Sequence, residues 1–595
     1  MVRRSDPEPL PGRVLAHVTY LAALALVLLV PLLWSTAAEE TFRAPKAHLA
    51  VVLWVVLAAA FAVRAPAAAW RDGWGVAWAG VLAGSAVAAA LTAQPLRSFS
   101  ALIPLALAAL GWGALRQLDD ERRRRLLRAV CLAGVAQAVL TLLFLSRAWR
   151  PESFVLLDEL GQLHDRFAWI GTMGNPADVA VFLVLPALLA AQRALRAGRR
   201  PWAWWGAALV QAGVVVGTRT LTALLALAVG AALLAWHHLP RRRRLPAVAG
   251  AAAALAVLVA VTPLAERIAV NVREVREYGW AGLGSFRGAG MGAAAGMFAA
   301  HPVAGVGPGQ FEAHSFRFVP ERTLAERGRY LGLETAFGEA HNEVLQYVAE
   351  TGLVGLALAV AGFVLAWRRR PRGHGVIHHL PSLAAAAGVL ALTQFPLHLA
   401  AIAAQWAVLA ALAVPPLPTL QRQSTKRAWL SLAAVLGCVA LATGLVWQRH
   451  RAGVALQQAR LLTQALRATA TPQVKADTSR RALQVVEQRL PWLPYSWRGH
   501  IIAGNLAVDA GRLDIALAHF AAALRLAERP EIRFNVGVAL YLAGEEQTGL
   551  VHLVQAVKLN PAVLKEIAQG ELRQRLLERL TADGYTQRYP WVSEV

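Results

Sequence analysis

The sequence predicts an all-α protein: a polytopic membrane helix bundle of about 12–13 transmembrane helices, with one large polar loop and a helical domain after the last span. Three observations predict it. Of the 595 residues, 57% are hydrophobic, above the roughly 45–50% of soluble domains. Apolar runs of about 17–25 residues, the length that crosses a hydrocarbon core of about 30 Å, recur along the chain. The basic residues also cluster in alternate loops, as the positive-inside rule asks of a multispan protein.

The apolar runs fall at 14–36, 47–63, 74–92, 98–115, 126–146, 176–194, 202–218, 220–236, 246–263, 348–367, 381–395, 397–415 and 428–447. The pair around Gln394-Phe395-Pro396 also fits a single re-entrant unit. With the N-terminus inside, the interior loops carry Arg3, Arg4 and Arg13, then Arg64 and Arg71, then the runs Arg116–Arg128, Arg196–Arg200, Arg241–Arg244, Arg368–Arg372 and Arg422–Arg427. The net charge of +24 is therefore a topology signal, and nucleic acid is not an expected partner. The opposite loops, 37–46, 93–97, 147–175, 217–220, 264–347 and everything after 448, are placed outside.

The first apolar run lacks a small-residue cleavage site and reads as an anchor. Cys131 and Cys438 both lie inside predicted spans, so neither a disulfide framework nor a Cys metal site is available. An outward domain without disulfides fits a bacterial periplasm at least as well as an animal cell surface. The N-terminus is expected inside and the C-terminal domain outside; the resemblance given below implies the bacterial inner membrane, with a cytoplasmic N-terminus and a periplasmic C-terminal domain. The domains are 1–263 (membrane helices), 264–347 (large periplasmic loop), 348–447 (membrane helices) and 448–595.

Beyond 447 the composition changes to amphipathic helices punctuated by Gly and Pro. Ala510-Gly511-Arg512-Leu513-Asp514 and Ala543-Gly544-Glu545-Glu546 stand 33 residues apart, as do Ala523 and Ala556. This resembles the tetratricopeptide repeat, with a period of about 34. Flanking helices at 452–490 and 562–581 are expected to cap two such units. A generic helical hairpin array is the plainer reading. Either way the role is docking, with a periplasmic protein as a candidate partner.

The outward loops carry the chemistry. Gly174-Asn175-Pro176 is turn chemistry leading into a helix, either a plain helix start or a shaped loop over a lipid-facing cavity. In the tight link Thr218-Arg219-Thr220, the arginine either snorkels to the interface or grips a phosphate in fork geometry. The large loop holds Arg287, an apolar small-residue helix over 290–300 expected in the interface plane or on the bundle, and the turn cluster His301–Phe311. No Lys-Ser/Thr follows those glycines, so this is no P-loop. His301, His314 and His341 lack metal-ligand spacing, and no metal is expected. His341-Asn342-Glu343 then opens the next span, where polar groups near hydrocarbon are costly unless paired or functional.

Read together, these segments resemble the O-antigen ligase and polymerase superfamily of bacterial inner-membrane enzymes, which includes protein O-oligosaccharyltransferases. Arg166…Gly171-Thr172-Met173-Gly174-Asn175-Pro176 is similar to the family's G-T-x-G-N-P turn. Thr218-Arg219-Thr220 is similar to its S-R-G-like external turn, with Thr in place of Ser and of Gly. Arg287 with His301–Phe311 resembles the R…W…hP-l-x-G-v-G-x-G-x-F stretch, with the family's tryptophan replaced. His341-Asn342-Glu343-Val344-Leu345-Gln346…Glu350-Thr351-Gly352 resembles the H-N-x-x-L-Q…E-x-G signature, and Phe395-Pro396-Leu397 a late segment. The likeness spans roughly residues 14 to 415.

The resemblance implies transfer of a glycan from an undecaprenyl-pyrophosphate carrier to an acceptor hydroxyl, without a cofactor or an obligatory metal. In such a reaction arginines stabilise the leaving pyrophosphate, and Arg219 and Arg287 suit that task, with Arg166 as a further candidate. His341 suits the acceptor hydroxyl as base or orienter. Asn175, Asn342 and Glu343 are candidate substrate-binding residues, Asn342 and Glu343 orienting the loop or the sugar. The expected acceptor is lipid A-core; a Ser or Thr of an exported protein, or another lipid-linked glycan, are the rivals. A lipid-linked sugar transporter is the non-enzymatic rival. Against it, no charged cluster sits mid-span and no inverted repeat is apparent.

Overall fold

The computed structural model describes all residues except 1–9, 39, 66–72, 147, 149–166, 198–200, 247–248, 251–252, 254–263, 332–336, 370–374, 418–423, 470 and 594–595. The described chain is all-helical, with no strand. Its first half comprises α1 (Leu10–Leu28), α2 (Ala44–Arg64), α3 (Gly73–Ala90), α4 (Pro95–Arg116), α5 (Asp120–Leu145), α6 (Pro176–Arg196), α7 (Pro201–Gly217) and α8 (Leu221–His238). The large loop folds as α9 (Leu264–Tyr278), α10 (Leu283–Ala300), α11 (Phe311–Phe318) and α12 (Glu321–Leu331). Then come α13 (Glu343–Arg368), α14 (Leu380–Thr393), α15 (Ala400–Ala413) and α16 (Thr425–Thr469).

Nine described helices are long and apolar enough to cross a membrane, and α14 and α15 are shorter apolar helices. The chain is a multi-pass membrane protein. The predicted span at 246–263 lies almost wholly outside the described residues, and Arg166 lies outside them too. Helix α6 is the axis of the bundle. Nearly all of its side chains are buried, from Pro176 to Ala194, in one apolar cluster shared with α1, α2, α5 and α15. Around the perimeter Leu96, Trp202, Leu209 and Trp367 stay exposed, as lipid-facing side chains do.

Helices α14 and α15 run in opposite directions, α14 packing on α8 and α6 and α15 on α4, α1 and α2. The Val376 N–H donates to the Leu412 carbonyl at 2.9 Å, so their far ends meet, and residues 394–399 turn at the other end of the bundle. That other end, called the mouth below, also holds Asn342 and Arg43. At the far end the basic run 122–125 is more than a charge signal. Arg123 is fully buried and donates to the Ala411 carbonyl at 2.9 Å, while Arg116 donates to Pro415 O at 3.1 Å. Arg123 thus satisfies a carbonyl that α15 leaves unpaired at its C-terminus, and Arg116 one just beyond it.

Helix α13 is broken where Gly352 leaves helical geometry (φ 62°, ψ −163°). The backbone groups freed by a break cannot stay unpaired in hydrocarbon. Residues 302–311 pair with them: Leu353 N–H donates to Pro302 O (2.8 Å), Val354 to Val303 O (3.1 Å), Val306 to Ala349 O (3.0 Å) and Gly307 to Glu350 O (2.9 Å). The Glu350 carboxylate accepts from Gly309 N (3.0 Å) and Phe311 N (3.2 Å). A Cβ at Gly305 would sit 2.4 Å from the Glu350 backbone, so the loop approaches as closely as glycine allows. Helix α10 buries Ala289, Ala293, Ala294 and Met297 against Val306, Phe311, Phe316 and Ala349; it packs into the loop's own core and onto α13.

Helix α16 has no break at residue 447. It runs for 45 residues, about 68 Å at 1.5 Å per residue, from the bundle into the C-terminal region. There α17 (Pro472–Arg489), α18 (Trp497–Asp509), α19 (Leu513–Leu526), α20 (Pro530–Leu542), α21 (Glu546–Leu559), α22 (Glu571–Ala582) and α23 (Tyr585–Arg588) follow. Helices α18–α19 and α20–α21 form two successive hairpins. Gly504 packs against Phe520 in the first, and Gly537 against Leu553 in the second, each too close for a side chain. The array is anchored to the rest: Glu528 N–H donates to Ala313 O (3.1 Å), and Arg529 pairs with Glu312 (3.0 Å) and Arg588 with Glu321 (3.1 Å).

Candidate active site at the mouth of the bundle

The first turn of α13 builds the floor of the mouth. Asn342 caps the helix, its Oδ1 accepting from Leu345 N at 3.0 Å and its Nδ2 donating to Leu392 O at 3.0 Å. Glu343, buried, accepts from Leu397 N at 2.6 Å and lies 3.4 Å from His398 Nδ1. Gln346 accepts from Ala340 N (2.9 Å) and meets His398 Nε2 (2.9 Å). The α13 start is thereby clamped to the α14–α15 turn. Burial pulls the His398 pKa down, but the Glu343 carboxylate outweighs it and raises it to about 9. About a third of the His398 side chain (36%) reaches solvent, which tempers that attraction.

His341 sits just before the cap with φ 55°, its ring edge-on to Phe395 at 4.9 Å between centroids. Arg43 lies over the other side of that cluster, 5.7 Å from the Phe395 centroid and 3.0 Å from Glu339. Beneath them Asp178, buried in the first turn of α6, is within electrostatic reach of Arg43, Glu339, Arg287 and Lys46. Arg287 approaches on α10, whose Gly290 packs against the backbone of Glu339 and Ala340 one turn further on. Lys46 is itself buried, donating to the Thr172 carbonyl at 2.6 Å.

Arg219 is at φ 52° in its turn. It and His341 are the two described residues other than glycine with positive φ, a conformation that costs about 1–3 kcal/mol and clusters at functional sites. The turn is tied to the same floor. Thr222 accepts from Gln394 at 2.5 Å, and the next residue, Phe395, carries His341. On its other side Gly217 faces Trp169 so closely that a Cβ would overlap the indole. The 167–174 loop also meets Phe42 through Gly174. Asn175 is the N-cap of α6, its side chain accepting from Ala177 N at 2.8 Å, and it is exposed.

Of the sequence-predicted residues, the structure gathers His341, Asn342 and Glu343 at one helix start and sets Arg287 within reach of the same Asp178 cluster. Arg219 lies three residues before Thr222, which accepts from Gln394 beside Phe395. Asn175 and Asn342 both act as caps. Arg43, Lys46, Asp178, Glu339 and His398 were not singled out by the sequence. Among the described residues no three His, Cys, Asp or Glu side chains converge as metal ligands would.

This arrangement, with cations gathered around Asp178 near an imidazole, suits reaction at a charged leaving group. Residues 206–360, about a quarter of the chain, match the family model described as O-antigen ligase. The match takes in Arg219, Arg287, His341, Asn342, Glu343 and Glu350, and supports the O-antigen ligase superfamily for this part of the chain. Its activity is of the O-antigen ligase or polymerase type, that of a glycosyltransferase-like enzyme. No curated protein matches the chain.

Proposed function

We propose that the protein transfers a glycan from an undecaprenyl-pyrophosphate carrier to an acceptor hydroxyl on the periplasmic face of the inner membrane, with lipid A-core as acceptor. The observation that carries this reading is the pair of left-handed residues: Arg219 and His341, on turns joined through Gln394 and Phe395, each hold a strained backbone at the mouth.

In this mechanism the acceptor oxygen attacks the anomeric carbon as the bond to the carrier's phosphate oxygen breaks, and the bonding electrons leave with the pyrophosphate. Arg219 and Arg287 stabilise the charge that develops on that oxygen, and no metal is required of the chemistry. His341 receives or orients the acceptor proton. One displacement inverts the anomeric centre. Arg166 and Asn175 remain candidate donor contacts, and Asn342 and Glu343 hold the loop that carries His341. Asp178 positions Arg43 and Arg287. A protein acceptor is the second reading, favoured by the C-terminal hairpins docked on the large loop, which we take as a tetratricopeptide-like domain over 448–595.

The test is transfer in vitro by purified protein from an undecaprenyl-pyrophosphate glycan, with lipid A-core and a Ser/Thr-bearing pilin peptide offered in parallel. Product on lipid A-core, lost in folded His341→Ala, supports the ligase. Product on the peptide selects the protein transferase, and glycan extension alone the polymerase. No His341-dependent transfer refutes the enzyme reading.

A further inference from the structure

A pocket lies on the seam between the bundle and the C-terminal helices, beside the first turns of α2. It has a volume of about 280 Å³, and five separate stretches line it: Glu40 and His48, Arg97, Glu312, Arg449, and Arg498. Its charges do not balance. Glu40 is engaged by Arg498 at 2.9 Å, and Glu312 by Arg529 at 3.0 Å. Arg97 makes no close ion pair with Glu312, which acts on it only through space; its hydrogen bonds go to neutral acceptors, the Gln94 side chain (3.4 Å) and the Leu526 carbonyl. Arg449 has no ion pair among the described residues. His48 adds a buried Nδ1 with no hydrogen-bond partner among them, its ring edge-on to His450 at 5.7 Å.

Three lining arginines face two carboxylates that are already engaged; the half-buried Arg97, the exposed Arg449 and an orphan imidazole nitrogen leave an excess of positive charge that an anion would complete. Guanidinium forks suit a phosphate oxygen in particular. The volume falls at the lower edge of small-molecule pockets, which run from about 300 Å³, so it admits a headgroup and excludes an oligosaccharide. Its depth is fixed by Arg97, in the first turn of α4, and His48, in the first turns of α2, where apolar spans begin. Phosphates of a bilayer leaflet lie at that level.

We infer that the seam cavity is an anion site for the phosphate ester of a membrane lipid headgroup, held by Arg97, Arg449 and Arg498 and separate from the mouth. A lipid bound there fastens the C-terminal helices to the bundle, since its ligands come from both.

The experiment uses the full chain in vesicles containing a photoactivatable phosphatidylglycerol, with adducts mapped by mass spectrometry. Adducts are expected on the peptides carrying 449–453 and 493–498. In the double variant Arg97→Gln/Arg449→Gln they fall about tenfold, the loss of roughly 1.4 kcal/mol of binding, while adducts elsewhere on the bundle persist and report an intact fold. Equal labelling of those peptides by a phosphatidylcholine probe that keeps its labelling in the double variant overturns the site. No labelling by either lipid, with inorganic phosphate raising the unfolding midpoint of wild type and not of the double variant, overturns the lipid assignment in favour of a soluble phosphate ester.

Discussion

The two ends of the first half of α13 make an instructive pair. At Glu350–Gly352 every polar group is spent inside the protein: the carboxylate on Gly309 and Phe311, the broken backbone on residues 302–307. At His341–Gln346 the cap and the Glu343 carboxylate are likewise engaged, yet His341 sits on a strained backbone beside a cluster of cations. Both stretches belong to one sequence signature. The difference teaches that a motif can mix architecture with chemistry, and that hydrogen-bond bookkeeping separates the two.

Mutations sharpen that contrast. The largest effect is expected at the mouth: Arg219→Ala, Arg287→Ala or His341→Ala should each lower glycan transfer about 10²–10³-fold with little change in thermal unfolding. Gly305→Val should act in the opposite sense, destabilising by more than about 3 kcal/mol because its φ is 67° and its Cβ meets the Glu350 backbone; yield and unfolding midpoint in detergent read it. Glu350→Gln leaves two loop N–H groups with a weaker acceptor, and about 1–3 kcal/mol of stability is the expected loss, with transfer falling only in proportion to folded protein.

A smaller effect concerns pH. His398 is raised in the fold to about 9, so its pair with Glu343 stabilises fully below the ordinary histidine pKa of about 6.5 and is lost as pH rises through about 9. Unfolding midpoints across that window should fall in wild type and stay flat in Glu343→Gln. The smallest effect is at the caps: Asn175→Ala should cost about 1 kcal/mol, as an N-cap deletion does, without changing the pH profile of transfer.

Hydropathy made the spans legible because membrane burial demands long apolar runs, and helices such as α2, α4 and α6 begin within about three residues of expectation. His341, Arg219 and Arg287 were legible as polar residues at span ends. Arg43 and Lys46 were not, although a signal existed: two cations in a short loop assigned outside run against the positive-inside rule. Asp178 and His398, the latter inside the expected span 397–415, carried no sequence mark, because their partners are supplied by distant segments. The break at Gly352 was hidden since glycine is common in membrane helices, and the pairing of residues 302–307 has no local sequence mark. The unbroken run of α16 past 447 was masked by the change from apolar to amphipathic composition.

The most direct measurement is the initial rate of transfer from an undecaprenyl-pyrophosphate glycan by His341→Ala and Glu350→Gln, each set beside its thermal unfolding midpoint. A rate loss of about 10² or more in His341→Ala at an unchanged midpoint, with Glu350→Gln losing stability before rate, is the predicted result. Wild-type rates in folded His341→Ala would contradict placing the chemistry at the mouth.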